Sequence, residues 1–195
     1  MNVLTRTFDA PPLCESEVFR YAGCAVTEEL KETFYKLWEE AKDMLTYRVC
    51  YTTVAVSVTS DTCAFPTFAV RSQALAKNLT GCTHAVLFAA TVGMELDRLI
   101  AKYSCTSPMC AILLHALGTE RVEALCDAFC QSLAEDGLCP KPRFSPGYGD
   151  LTLDLQTEFF KLLSCEKHVG IYLGETLFMQ PSKSVTAFVG LRKAR

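Results

Sequence analysis

Residues 84–91 read His-Ala-Val-Leu-Phe-Ala-Ala-Thr, a nearly continuous apolar run of strand length with no polar alternation. A strand of that kind is buried on both faces, so packed layers must lie above and below it. The flanking sequence offers helices for those layers. Thr27 precedes Glu28 and Glu29, an N-cap with acids in the first turn, and opens a helix to about Leu45. Leu30, Phe34, Leu37, Trp38, Ala41 and Leu45 share one stripe of it.

Residues 1–13 read as an extended arm, and 15–21 as a short helix stopped by Gly23. Residues 47–58 are β-branched and helix-poor, which predicts a strand. Residues 65–70 predict a second strand, with Pro66 marking an edge or a bulge. A short helix over 72–79 ends at Gly81, and another spans 94–103 before a turn at 104–107. Pro108 suits a first helical position, and the pattern then stays helical to about Glu135, with Gly137 as its stop. Gly118 interrupts that helix at a cost of about 1 kcal/mol relative to alanine. Either the helix bends there or something packs closely against it. A loop over 143–150 leads to a helix over 153–163, then strands at 169–173 and 184–191, with 178–181 as strand and turn between them. Strands interleaved with helices, without repeat, linker or low-complexity tract, predict a single α+β (mixed α/β) domain over 1–195. Its expected core is a largely antiparallel, twisted central sheet with flanking helices.

A formal charge of −3 and a pI near 5.7 give no broad electrostatic footprint for nucleic acid. The first residues lack the apolar core of a secretory signal, and the longest apolar runs are far shorter than a membrane span, so a cytoplasmic protein is expected. Eleven cysteines, an odd count with no Cys-x-x-Cys, argue against a disulfide framework. Burial as small apolar residues is the first reading of them, and a metal or redox role the second. Cys126 and Cys130 stand one helical turn apart, a spacing that can place two thiols on one face.

Several catalytic machines are missing from the sequence: the Walker phosphate loop, Gly-x-Gly-x-x-Gly, Gly-x-Ser-x-Gly and His-Glu-x-x-His. His84, His115 and His168 are isolated from one another in sequence and read as structural residues rather than metal ligands or bases. Two positions stand above this background. Glu123 lies among largely apolar helix residues, so it is either a solvated carboxylate or one that needs a cationic partner. Arg143 opens the loop Arg-Phe-Ser-Pro-Gly-Tyr-Gly-Asp over 143–150. Its planar donor pair suits a carboxylate or phosphate, Pro146 fixes one dihedral, and Gly147 and Gly149 permit positive φ beside a ligand. The alternative for Arg143 is a structural salt bridge that clamps the loop.

That loop, followed by Leu153-Asp154-Leu155-Gln156 and later by the run from Met179 to Ala187, resembles the activation domain of vitamin B12-dependent methionine synthase in a free-standing form. The resemblance spans roughly residues 116–190. It implies a protein that binds S-adenosylmethionine and presents it to a cobalamin held by another protein, for reductive methylation of cob(II)alamin with an electron from a flavodoxin-like donor. The implied partner is a cobalamin-dependent methionine synthase, and this chain is then a methyltransferase component. The family's Arg-x-x-x-Gly-Tyr pattern matches at Arg143, Gly147 and Tyr148, with Ser145 contributing backbone. By this resemblance Arg143 forks the methionyl carboxylate, main-chain groups of Ser145 and Gly147 line the ligand, and Tyr148 stands at the mouth facing the corrin. The segment over 116–125 resembles the family helix whose glutamate contacts the ligand, which gives that role to Glu123.

The sequence also departs from the family. No counterpart is found for a further ligand-contacting tyrosine after Phe188, and no acidic contact from the N-terminal part is placed. No Asp-x-His-x-x-Gly occurs, so the corrinoid is expected to be carried by the partner. A different reading of the same features is an S-adenosylmethionine-binding scaffold or sensor that serves another corrinoid protein without reactivation.

Overall fold

The computed structural model describes residues 2–135 and 138–192. Strand β1 (Leu4–Thr7) lies in the arm, followed by helices α1 (Glu15–Ala22) and α2 (Glu28–Ala41) and strand β2 (Arg48–Ala55). Short strands β3 (Ser57–Val58), β4 (Thr62–Ala64) and β5 (Ala69–Arg71) form a small sheet that leads into α3 (Gln73–Leu79) and β6 (Cys82–Thr91). Helices α4 (Glu95–Ser104) and α5 (Pro108–Glu135), strand β7 (Cys139–Pro140) and helices α6 (Gln156–Leu163) and α7 (Cys165–Val169) come next. A hairpin of β8 (Tyr172–Leu173) and β9 (Met179–Gln180) precedes β10 (Ser184–Arg192).

The main sheet has the order β1-β2-β6-β10-β7 and every pairing in it is antiparallel. The apolar run is therefore its middle strand, with β6 hydrogen-bonded to β2 on one side and β10 on the other. Both faces are buried in the way the unalternating sequence requires. Val86, Phe88 and Ala90 join Val49, Tyr51, Ala187 and Val189 in a core completed by α1, α2, α4 and α5. The intervening Ala85, Leu87 and Ala89 join Cys50, Val54 and Phe188 in a second core, completed by α3, α6, α7 and Phe65. The fold is thus a mixed α+β architecture with helices on both faces of an antiparallel sheet.

Local chemistry accounts for several element ends. Thr27 Oγ1 accepts from the Leu30 N–H at 3.2 Å, the N-cap that the sequence indicates. Residues 2–13 of the arm contain no helix, and β1 within them pairs with β2. Arg121, fully buried on α5, donates to the carbonyls of Pro11 at 2.6 Å and Pro12 at 2.9 Å, and pairs with Glu120 at 2.5 Å. A single guanidinium thereby satisfies an arm that has no helix or strand of its own there.

Two strand expectations need correction. Residues 65–68 form the turn between β4 and β5, closed by Phe65 N–H donating to Phe68 O at 2.8 Å. Their apolar character serves packing rather than pairing, since Phe65 stacks on Phe68 and on Phe188 with centroids 4.6 and 5.3 Å apart. In the segment over 169–173, Val169 ends α7, Gly170 caps it at φ 73°, and only Tyr172 and Leu173 are strand. Gly137, the expected helix stop, lies outside the described residues.

Helix α5 is continuous through Gly118, so close packing is the reason for the glycine. A Cβ at this position would stand 2.5 Å from Leu96 Cδ2 and 2.7 Å from Lys183 Cγ. Lys183 lays its stem across the gap and donates to Thr119 Oγ1 at 3.1 Å. Gly118→Ala sets a helix-propensity gain of about 1 kcal/mol against an overpacking penalty of about 1–3 kcal/mol. The expected result is a net loss of stability of up to about 2 kcal/mol in denaturant unfolding; a variant more stable than the parent would show that the contact yields freely.

Candidate functional site

The loop over 143–150 is pinned to the sheet at its start. Phe144 N–H donates to Phe188 O at 2.9 Å and Phe188 N–H donates to Phe144 O at 2.8 Å, an antiparallel bridge onto β10. Pro146 is buried beyond it, and Gly147 and Gly149 take φ of 87° and 61°, the left-handed values that the sequence assigns to them. The loop ends on Asp150, whose carboxylate accepts from Ser72 Oγ at 2.5 Å and from the N–H groups of Gln73 at 2.7 Å and Ala74 at 3.2 Å. Gly149 also needs its small size, because a Cβ there would stand 3.2 Å from that of Ala74.

Between this loop, α5, the start of α6 and the start of β10 lies a cleft of about 620 Å³. That volume falls within the range of roughly 300–1,000 Å³ usual for small-molecule sites. Glu123 and Arg143 form one part of its wall, Phe144, Ser145, Pro146 and Tyr148 another, and Gln156, Met179 and Ser184–Thr186 the rest. The segment before β10 is held in place by Asp97, which accepts from Ser182 N–H and Ser182 Oγ, each at 2.6 Å.

The guanidinium of Arg143 is forked between two acids of α5, with Nη2 donating to Glu123 and Nη1 to Asp127. Glu123 and Asp127 stand four residues apart, so one helical turn presents both to the same cation. Burial alone would lower the arginine pKa; its hydrogen bonds to Asp127 and Glu123 more than reverse that, and the group stays firmly charged. Two carboxylates against one guanidinium leave the cluster with an excess negative charge. The clamp is unequal, because the Glu123 side chain is 37% exposed and the Asp127 side chain 73%. An ion pair as exposed as the second contributes about 0–1 kcal/mol, so an incoming carboxylate can displace Asp127 at little expense.

Glu123, Arg143, Ser145 and Tyr148 all line the cleft. Gly147 does not, and its N–H is committed to Leu151 O at 2.8 Å. Tyr148 is 70% exposed, its ring set edge-on to Phe144 at 5.5 Å between centroids. None of the three histidines lines the cleft: His84 and His115 are exposed and His168 is half-buried. Cys50, Cys63, Cys82, Cys126 and Cys165 are buried, whereas Cys14, Cys105 and Cys139 are exposed. Among the described residues no helix is long and apolar enough to cross a membrane.

Three features of the site escaped the sequence reading. Asp127 could have been found by its helical spacing from Glu123. Gln156 and Thr186 lie in the segments that carry the family resemblance, but no spacing singled them out: they are 6% and 2% exposed, and Gln156 Oε1 and Thr186 Oγ1 have no hydrogen-bond partner among the described residues. Both residues lie on the cleft wall. A buried polar atom without a partner is uncommon and points to a missing ligand or water.

Fold and cleft together define a mixed α+β domain with a small-molecule-sized groove at the crossing of its longest helix and a pinned loop. Neither a protein-family model nor a curated protein matches the sequence. Among solved structures the chain is similar to the MetH reactivation domain bound to AdoHcy, with a TM-score of 0.68 and 16% identity. The match covers 100% of this chain and 80% of that one. At this identity the likeness is one of fold.

Hydrogen bonding from Ser72, reinforced by the Gln73 and Ala74 N–H groups, holds the Asp150 carboxyl below the usual aspartate range. A lowered native pKa contributes stability above the unfolded value of about 3.9 and loses it as pH falls through the native value. Asp150→Asn is therefore expected to melt below the parent at neutral pH, and the gap should close as pH falls below about 4. A gap independent of pH would mean that the carboxylate charge does not anchor the loop.

Proposed function

We propose that the cleft binds S-adenosylmethionine and that the protein presents it to a cobalamin carried by a partner, a cobalamin-dependent methionine synthase whose inactive cob(II)alamin form it restores. The observation that carries this reading is the convergence of Arg143, Glu123, Ser145 and Tyr148 on one cleft. It occurs in a fold like that of a domain whose crystal structure holds AdoHcy.

The residues present fit such a ligand. Its methionyl carboxylate replaces Asp127 on the Arg143 fork, and the acid thereby released is available to the ligand's α-ammonium. The excess negative charge of the Glu123–Asp127–Arg143 cluster complements a sulfonium cation. The partnerless oxygens of Gln156 and Thr186 supply unused hydrogen-bonding capacity on the same wall. When bound, S-adenosylmethionine supplies an activated methyl group, and the partner's cobalamin, reduced by a flavodoxin-like or other one-electron donor, receives it. This chain's part is to bind, to orient and to limit water at the mouth, where exposed Tyr148 stands beside Phe144.

Titration calorimetry with S-adenosylmethionine tests the reading. The parent should bind one equivalent, and Arg143→Ala should bind roughly 10- to 100-fold more weakly, the worth of charge-assisted hydrogen bonds. No binding by the parent, or equal binding by the variant, contradicts it. With the partner synthase and a reductant, recovery of the methylated cofactor should require this protein; recovery without it removes the reactivation role.

A further inference from the structure

The cleft is not chemically uniform along its length. It adjoins a second cavity of about 530 Å³ that shares Glu123 and Arg143 with it and adds Glu17, Glu120 and Asp127. It also adjoins a third, of about 420 Å³, that shares Gln156 and Met179 and adds Leu153, Leu177 and Phe178, with Asp97 and Ser182 at its edge. One side of the cleft is therefore ionic, and the other is largely apolar, its one acid, Asp97, being occupied by Ser182.

Gln156 lines both the cleft and the apolar cavity, and Thr186 is set on the same side by its place on β10. Thr186 lies on the face of β10 that also carries Phe188, and Phe188 meets Phe159 of α6 at 4.7 Å between centroids. Gln156 is the first residue of that helix. Each is at least nine-tenths buried and each has an oxygen without a partner among the described residues, although the sheet and helix around them are fully formed. An amide and a hydroxyl carry no net charge and offer donors and acceptors together, so they suit a neutral heteroatom edge rather than a carboxylate or an ammonium.

We infer that Gln156 and Thr186 recognise the nucleoside half of the ligand by hydrogen-bonding its neutral base or sugar edge, apart from the Arg143 cluster that holds the amino-acid half. The inference rests on the S-adenosylmethionine reading and divides that ligand between two ends of one cleft. Neither oxygen has a protein partner among the described residues, so each is open to one that arrives with the nucleoside.

The test uses two ligands that differ in the amino-acid part, S-adenosylhomocysteine and 5′-methylthioadenosine, and three full-length variants, Arg143→Ala, Gln156→Met and Thr186→Val. Arg143→Ala should weaken S-adenosylhomocysteine at least tenfold and leave methylthioadenosine unchanged. Gln156→Met and Thr186→Val should each weaken both ligands by about tenfold. Without ligand, Thr186→Val should melt no lower than the parent, since a buried hydroxyl without a partner is removed; this separates lost recognition from lost folding. If the parent binds both ligands and the two polar variants bind as it does, the inference is overturned and the S-adenosylmethionine reading survives. If the parent binds methylthioadenosine but gains nothing from the amino-acid part, the Arg143 assignment fails instead. Binding of neither ligand overturns both.

Discussion

The antiparallel pairing of β6 with β10, covered by side chains on both faces, is the constraint on which the rest of the molecule depends. Phe188 shows how it reaches the site. Its side chain belongs to the core beneath α6, while its backbone N–H and C=O bridge Phe144 and hold the start of the 143–150 loop against the sheet edge. Displacing β10 would therefore move Arg143, Ser145 and Tyr148 together, along with Ser184, Val185 and Thr186 on the strand itself. The recognition loop is irregular in backbone but inherits its position from the most buried part of the fold, which is how rigid scaffolds commonly present binding loops.

On that scaffold the charges are arranged economically. Arg143 is half-buried and would be costly to leave unpaired, so α5 supplies Glu123 and Asp127 as partners in the free protein. The same arrangement leaves the site responsive, because the Asp127 arm of the fork is mostly exposed and therefore weak. The two readings of Arg143, loop clamp and ligand fork, are then successive uses of one side chain. Asp150 at the far end of the loop has a different duty, anchoring the chain to α3 through Ser72 and two backbone amides.

The sequence made legible what local chemistry decides. The central strand followed from an apolar run with no alternation, α2 from the Thr27 cap and its stripe, and α5 from Pro108. Arg143 and Glu123 stood out because their residue types are unusual in such surroundings. Long-range partners were not legible: nothing near Arg121 predicts that it ties down Pro11 and Pro12, and nothing near Thr186 predicts that its hydroxyl is orphaned on a cleft. Of the strand expected over 65–70 only Ala69 and Val70 are strand, because aromatic residues suit a strand and a packed turn equally well, and the Phe65–Phe188 stacking that decides between them spans most of the chain.

The central claim is that one cleft holds the two halves of S-adenosylmethionine at chemically different ends. A crystal structure of the protein grown with S-adenosylhomocysteine tests it most directly. The account predicts the ligand carboxylate on Arg143 in place of Asp127, with the nucleoside against Gln156 and Thr186. An empty cleft, with Arg143 still forked between Glu123 and Asp127 at saturating ligand, would contradict it.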